Sequence, residues 1–238
     1  THPPFFAYVG VHAPHLPSQP APWYVDNTFN DPGLSSHYMT PNYNYSARDH
    51  HWCVAQQPPI TEEQAAGIDS LFRDRWRTLL SVDDLVEELV ATVIDLKIDD
   101  HVYFFYSSDH GYNLGQLRLT GNKLHAYEQT LRIPMYVRGP NIKPGTVLSI
   151  PGSNTDFAPT WLALAGLSNS HMDGSSFLSH LMPSSKTKSE AVAISSPAHQ
   201  SAAAVHSGSN GGDGRVAGTS DSEKPWRDFH YSEYNSLG

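Results

Sequence analysis

Asp109 and His110 are the neighbouring pair whose types and placement best suit chemistry. They follow the apolar, aromatic run Val102-Tyr103-Phe104-Phe105-Tyr106 and two small hydroxyl residues, Ser107 and Ser108; Gly111 then permits a sharp exit. A carboxylate offers a hard oxygen ligand, and an imidazole offers a nitrogen ligand or a hydrogen bond. In open α/β sheets chemistry gathers beyond the carboxyl ends of strands, so the pair is a candidate metal half-site. Two further groups join it. His15 sits in His12-Ala13-Pro14-His15-Leu16-Pro17, where the prolines predict a rigid, extended loop. Lys123 supplies a point charge for an anionic oxygen. Together they suit metal-assisted hydrolysis of a substrate carrying sulfate or phosphate. Taken alone, each has a plainer reading, such as a solvated loop histidine for His15.

The elements that must position these groups follow from periodicity. Residues 5–11 and the run from Val102 read as buried strands, as does Ile133-Pro134-Met135-Tyr136-Val137-Arg138, ended by Gly139-Pro140. Residues 61–97 are the clearest helical stretch: Ile68, Leu71, Phe72, Leu79, Leu85, Val86, Leu89, Val93 and Ile94 recur at helical intervals. Thr61 and Gln64 have capping-box spacing, and the length predicts two helices or one with a break near Ser81. Asp83-Asp84 reads as solvated helix charge, because adjacent helical positions diverge by about 100°. A shorter helix is expected from Asn154-Thr155-Asp156 through Ala165, stopped by Gly166.

Between these elements, residues 18–60 are rich in Pro, Asn, Tyr and Ser and read as a long, ordered loop of the kind that shapes pockets. Within it, His50-His51-Trp52 reads as a packed turn, and Asn44-Tyr45-Ser46 is a glycosylation acceptor pattern in a secretory protein. Residues 184–224 are dominated by Ser, Ala and Gly and read as a flexible insertion. The chain is long enough for a substantial core, with 238 residues of which 39% are hydrophobic. Its net charge of −9 argues against nucleic acid and anionic membranes as partners. Cys53 is the single cysteine, so no intrachain disulfide framework exists, and no apolar run approaches membrane-spanning length. The chain opens on Thr1 directly before a strand-like run, and the expectation is an internal piece of a longer protein.

The segment from Ser107 through Gln116, then Lys123, Tyr127-Glu128 and Arg132 through Pro140, resembles the sulfatase family. Asn154 through Thr160, Leu164-Ala165-Gly166 and Met172-Asp173-Gly174 continue that pattern in order, and Ala13-Pro14-His15 resembles its upstream histidine motif. Arg75-Trp76-Arg77-Thr78-Leu79-Leu80-Ser81-Val82-Asp83-Asp84 is similar to the glucosamine-6-sulfatases, lysosomal and extracellular alike. The resemblance covers roughly residues 5–183; residues 184–224 depart from it, and the end of the chain matches weakly.

The resemblance implies an alkaline-phosphatase-like α/β fold with a central mixed sheet flanked by helices, incomplete in this fragment. Residues 1–183 would be the second half of the catalytic domain, and 225–238 the start of a further C-terminal region. It implies a sulfuric ester hydrolase that removes 6-O-sulfate from glucosamine in glycosaminoglycans, in a lysosomal or extracellular setting. Asp109 and His110 would bind Ca2+, although many members carry Asn at the second position. His15 and Lys123 would contact the sulfate and help protonate the leaving oxygen. The nucleophile, a formylglycine made from a Cys-x-Pro-x-Arg cysteine, would lie outside the chain, since Cys53 is followed by Val54-Ala55-Gln56-Gln57. The fragment is therefore expected to be inactive, with exposed sheet edges. The alternatives are an arylsulfatase or heparan endosulfatase, a phosphatase or phosphodiesterase of the same superfamily, and a non-catalytic glycan-binding relative.

Overall fold

The computed structural model describes residues 3–25, 29, 34–168 and 171–182. The expected insertion at 184–224 and the region 225–238 lie outside the described residues. In chain order the helices are α1 (Ser36–Met39), α2 (Trp52–Ala55), α3 (Glu62–Asp95), α4 (Glu128–Leu131), α5 (Phe157–Leu164) and α6 (Leu178–Leu181). Strand β1 (Phe104–Ser107) lies between α3 and α4, and β2 (Met135–Arg138) follows α4. The chain divides into two compact units, one running to Ile142 and one beginning at Lys143.

α3 dominates the first unit. Its start is the expected capping box: Gln64 N donates to Thr61 Oγ1 at 3.2 Å and Thr61 N donates to Gln64 Oε1 at 3.0 Å. Glu62 and Glu63 favour the positive end of the helix dipole. The helix runs unbroken through Ser81, against the expected interruption. The physical reason is that 62–95 contains no proline, so nothing removes a donor from the i→i−4 ladder. Ile68, Phe72, Thr78 and Val82 form its buried face. Asp84 remains exposed but is more than solvated charge, because the Tyr24 hydroxyl donates to both its oxygens at 2.8 and 2.7 Å.

Two apolar clusters fill this unit. Ile68, Phe72 and Leu114 bury one another with Leu34, Tyr43, Ile60, Leu71 and Tyr112 packed around them. Ala47, Val54, Leu117 and Leu119 form the second, with Cys53 and Tyr127 at its margin. Each fully buried aliphatic side chain contributes about 1.5–3 kcal/mol. Both clusters gather the long connections 34–60 and 112–127 onto α2 and α3. The expected packed turn at His50-His51-Trp52 opens into α2, and Trp52 itself is exposed.

β1 and β2 pair antiparallel in the register Phe104↔Arg138, Phe105↔Val137, Tyr106↔Tyr136 and Ser107↔Met135. Among the described residues this pair is the whole sheet, the incomplete form expected of the fragment. β1 is accordingly half-buried and not covered on both faces as its aromatic run suggested. Residues 5–11 do not form the expected buried strand: among the described residues they belong to no strand, with Phe6 68% and Tyr8 80% exposed. Alternating apolar residues supply the faces of a strand, but a strand also needs a neighbour for its backbone groups. No helix among the described residues is long and apolar enough to cross a membrane.

In the second unit, a 3-10 turn at Asn154–Asp156 feeds α5, which ends at Leu164, one residue short of the expected Ala165, with Gly166 at φ 71°. Asp156 is fully buried and its carboxyl group holds two backbone donors, Ser153 N at 2.9 Å and Ser175 N at 2.8 Å. Thr160, also fully buried, donates to Asp156 O at 2.7 Å and accepts from Phe177 N at 3.1 Å. Gly174 lies where an added Cβ would stand 1.9 Å from Thr155 O. The two sequence motifs Asn154-Thr155-Asp156 and Met172-Asp173-Gly174 are thus one packing unit.

Removing two hydrogen bonds to a buried carboxyl group has a defined cost. Asp156→Ala is expected to destabilise the chain by about 3 kcal/mol, read from the midpoint of urea unfolding. Gly111→Ala is expected to cost about 2 kcal/mol through overpacking in the same measurement, because its Cβ would meet Gln129 O at 2.1 Å.

Candidate functional site

The turn after β1 is held on both sides. Ser107 Oγ donates to Pro134 O at 2.9 Å, tying the strand end to the approach to β2. Gly111 N donates to Thr130 O at 2.7 Å and Tyr112 N to Gln129 O at 3.0 Å. Asn113, fully buried, donates from its backbone to Asn122 O at 2.9 Å and from Nδ2 to Asn122 Oδ1 at 3.1 Å. Asp109 and His110 are therefore presented from a fixed turn, while the residues just beyond them are stitched to α4 and to Asn122.

The Asp109 carboxylate faces solvent, with its side chain 78% exposed. Oδ1 accepts from His110 N at 2.9 Å and from Ser108 Oγ at 3.3 Å. Slight burial pushes this carboxyl upward, but the His110 backbone donor, the His110 imidazole and the Ser108 hydroxyl outweigh it and hold the group below the usual carboxylate range. His110 Nε2 stands 3.0 Å from Asp109 Oδ2, and its Nδ1 stands 2.9 Å from Gly111 O. A proton on Nδ1 satisfies the Gly111 carbonyl; Nε2 and Oδ2 then converge as two lone-pair atoms that a proton or a cation can satisfy. Hence the pair suits a cation as a partial ligand set. Among the described residues no group of three or more His, Cys, Asp or Glu side chains is arranged around a common metal position. A hard cation such as calcium takes six to eight ligands, mostly oxygens, so the pair supplies only part of a shell.

Lys123 directly follows Asn122 and is half-buried, so the Asn113–Asn122 bonds carry it toward the turn after His110. His15 arrives from another direction and is exposed. Its loop is a compact double turn and not the extended course expected from its prolines. His15 N donates to His12 O and Ser18 N to His15 O, both at 2.9 Å, and Ser18 Oγ donates to Pro14 O at 3.0 Å. His15 Nδ1 stands 2.9 Å from Leu16 O, leaving Nε2 as its outward atom.

One residue joins the His15 loop to the Asp109–His110 turn, and its role was not read from the sequence. Arg75 Nη1 donates to Pro14 O at 3.0 Å, and its guanidinium carbon lies 4.8 Å over the Tyr112 ring. Burial pulls the guanidinium down from its usual range, and Tyr112 partly offsets this. A signal was present: Arg75 stands three residues beyond Phe72 and four before Leu79, on the apolar stripe of α3.

The remaining candidates have structural surroundings. Asn44 Oδ1 accepts from Ile60 N at 3.0 Å, and its carbonyl accepts from Arg118 Nε at 3.3 Å. Cys53 Sγ stands 3.1 Å from His51 Nδ1 at the edge of the second apolar cluster.

The chain is 40% identical over 178 residues to the N-acetylglucosamine-6-sulfatase of Capra hircus, covering 74% of this chain and 31% of that protein. Against the human protein of the same name it is 39% identical over 181 residues, covering 74% of this chain and 32% of the relative. It is 34% identical over 181 residues to the extracellular sulfatase SULF-1 homolog of Drosophila melanogaster, covering 75% and 16%. The chain thus spans a third or less of the length of these relatives. The sulfatase family model matches residues 1–167, a span that takes in His15, Asp109, His110 and Lys123, and the chain belongs to the sulfatase family.

Proposed function

We propose that the protein carrying this chain is a sulfuric ester hydrolase that removes 6-O-sulfate from glucosamine residues of a sulfated sugar or glycosaminoglycan. The observation that carries this reading is the 40% identity over 178 residues to an N-acetylglucosamine-6-sulfatase. The chain is the second half of the catalytic domain. Lys123 and His15 face the sulfate: the ammonium offsets charge that grows on its oxygens, and the outward imidazole nitrogen of His15 delivers a proton to the leaving alcohol. Asp109, with His110 beside it, contributes part of a calcium site. Bound there, calcium would polarise the sulfate oxygens.

The nucleophile comes from outside this chain. Cys53 is half-buried in a structural cluster and stands before Val54-Ala55-Gln56, without the Pro and Arg of a formylglycine motif. The setting is lysosomal or extracellular, in keeping with a relative named as an extracellular sulfatase. Asn44 is an acceptor for an N-linked glycan there, through the amide nitrogen opposite the oxygen that holds Ile60.

Two measurements test the proposal. In the protein at its native length, Lys123→Ala and His15→Ala are each expected to lower kcat for sulfate release from N-acetylglucosamine 6-sulfate by about 100-fold. Wild-type turnover by either variant removes that residue from the chemistry. The 238-residue chain alone, supplied with calcium, is expected to release no sulfate; robust turnover would show that it holds its own nucleophile.

A further inference from the structure

α3 carries a cation that touches two separate loops at once. Arg75 Nη1 reaches Pro14 O at 3.0 Å, and its guanidinium carbon lies 4.8 Å over the Tyr112 ring. Pro14 directly precedes His15, and Tyr112 lies two residues beyond His110. Both partners are themselves fixed. Pro14 O also accepts from Ser18 Oγ at 3.0 Å, and Tyr112 N bonds Gln129 O at 3.0 Å while the ring packs on the cluster of Ile68, Phe72 and Leu114.

We propose that Arg75 is a positioning residue, which sets the placement of the His15 loop relative to the Asp109–His110 turn and acts on catalysis through them without touching the sulfated sugar. The inference rests on the sulfatase reading for its catalytic consequence. The tether itself rests on geometry alone. A planar guanidinium can donate in its plane to the Pro14 carbonyl and stack its face on Tyr112 at the same moment, which is why Arg serves here better than Lys. α3 is the rigid strut behind it. Displacing a catalytic group by about 1 Å can cost on the order of 100-fold in rate, so a modest shift of His15 is enough to matter.

The test uses the protein at its native length with Arg75→Gln and Arg75→Lys. Two readouts are taken: kcat and KM on N-acetylglucosamine 6-sulfate, and hydrogen exchange by mass spectrometry. Arg75→Gln is expected to lower kcat about 30-fold with KM within about threefold, the split that separates positioning from substrate contact. Exchange over residues 12–18 is expected to rise about tenfold, with peptides from α5 unchanged. Arg75→Lys, which keeps the charge and one donor, restores most of the protection and part of kcat. Three results would overturn the proposal: kcat within about twofold of wild type, KM raised at constant kcat, or exchange accelerated uniformly across the chain. If the wild-type protein releases no sulfate, the sulfatase reading fails. Exchange at 12–18 then still decides the tether, and unchanged exchange in Arg75→Gln overturns it.

Discussion

The burial of Leu114 and Tyr112 against Ile68 and Phe72 is the contact from which the rest of the first unit follows. It docks the chain that leaves β1 onto the N-terminal third of α3. Once docked, residues 111–113 meet α4 and Asn122 within hydrogen-bond distance, and the turn bearing Asp109 and His110 has nowhere else to go. The candidate site is thus built on a helix and a short strand end, with loops bolted to both. That arrangement gives exposed polar groups a precise origin without burying them, which suits a charged substrate arriving from water.

Much of this is readable in the chain, and the reasons differ by element. α3 announces itself because apolar spacing, a capping box and the absence of proline all agree. The aromatic run before Asp109 and the Met135-Tyr136-Val137-Arg138 run are strands because β-branched and aromatic residues fit a pleated surface. Residues 5–11 carry the same local signal and make no strand among the described residues, since pairing is a property of two segments. Membership of the sulfatase family assigns the chain to the alkaline-phosphatase-like α/β class expected from its motifs. The two-stranded antiparallel sheet is the part of that architecture present in the described residues.

The site was legible as residue types and less so as geometry. Asp109 and His110 could be placed because a strand end is a local feature. Lys123 could be named, but the bonds that carry it come from Asn113 and Asn122, two amides with no distinctive spacing. The double turn around His15 depends on Ser18 reaching back to Pro14, which proline rules alone do not foresee. In the second unit, a recognisable pair of motifs is held together by a buried aspartate, a packing role that their residue types alone do not reveal.

Arg75 has one more consequence, for the register of α3. Apolar residues recur along this helix closely enough that sliding it by one turn, about 5.4 Å, would still set hydrocarbon against hydrocarbon. A stripe of that kind says which face points inward but leaves the axial position loosely specified. The guanidinium narrows that freedom: slipped by a turn, it would leave Pro14 O and Tyr112 behind, as Asp84 would leave the Tyr24 hydroxyl. Arg75, with Asp69 and Asp84 on the same helix, thus acts as an index mark, telling a long helix how far along its neighbours to stop.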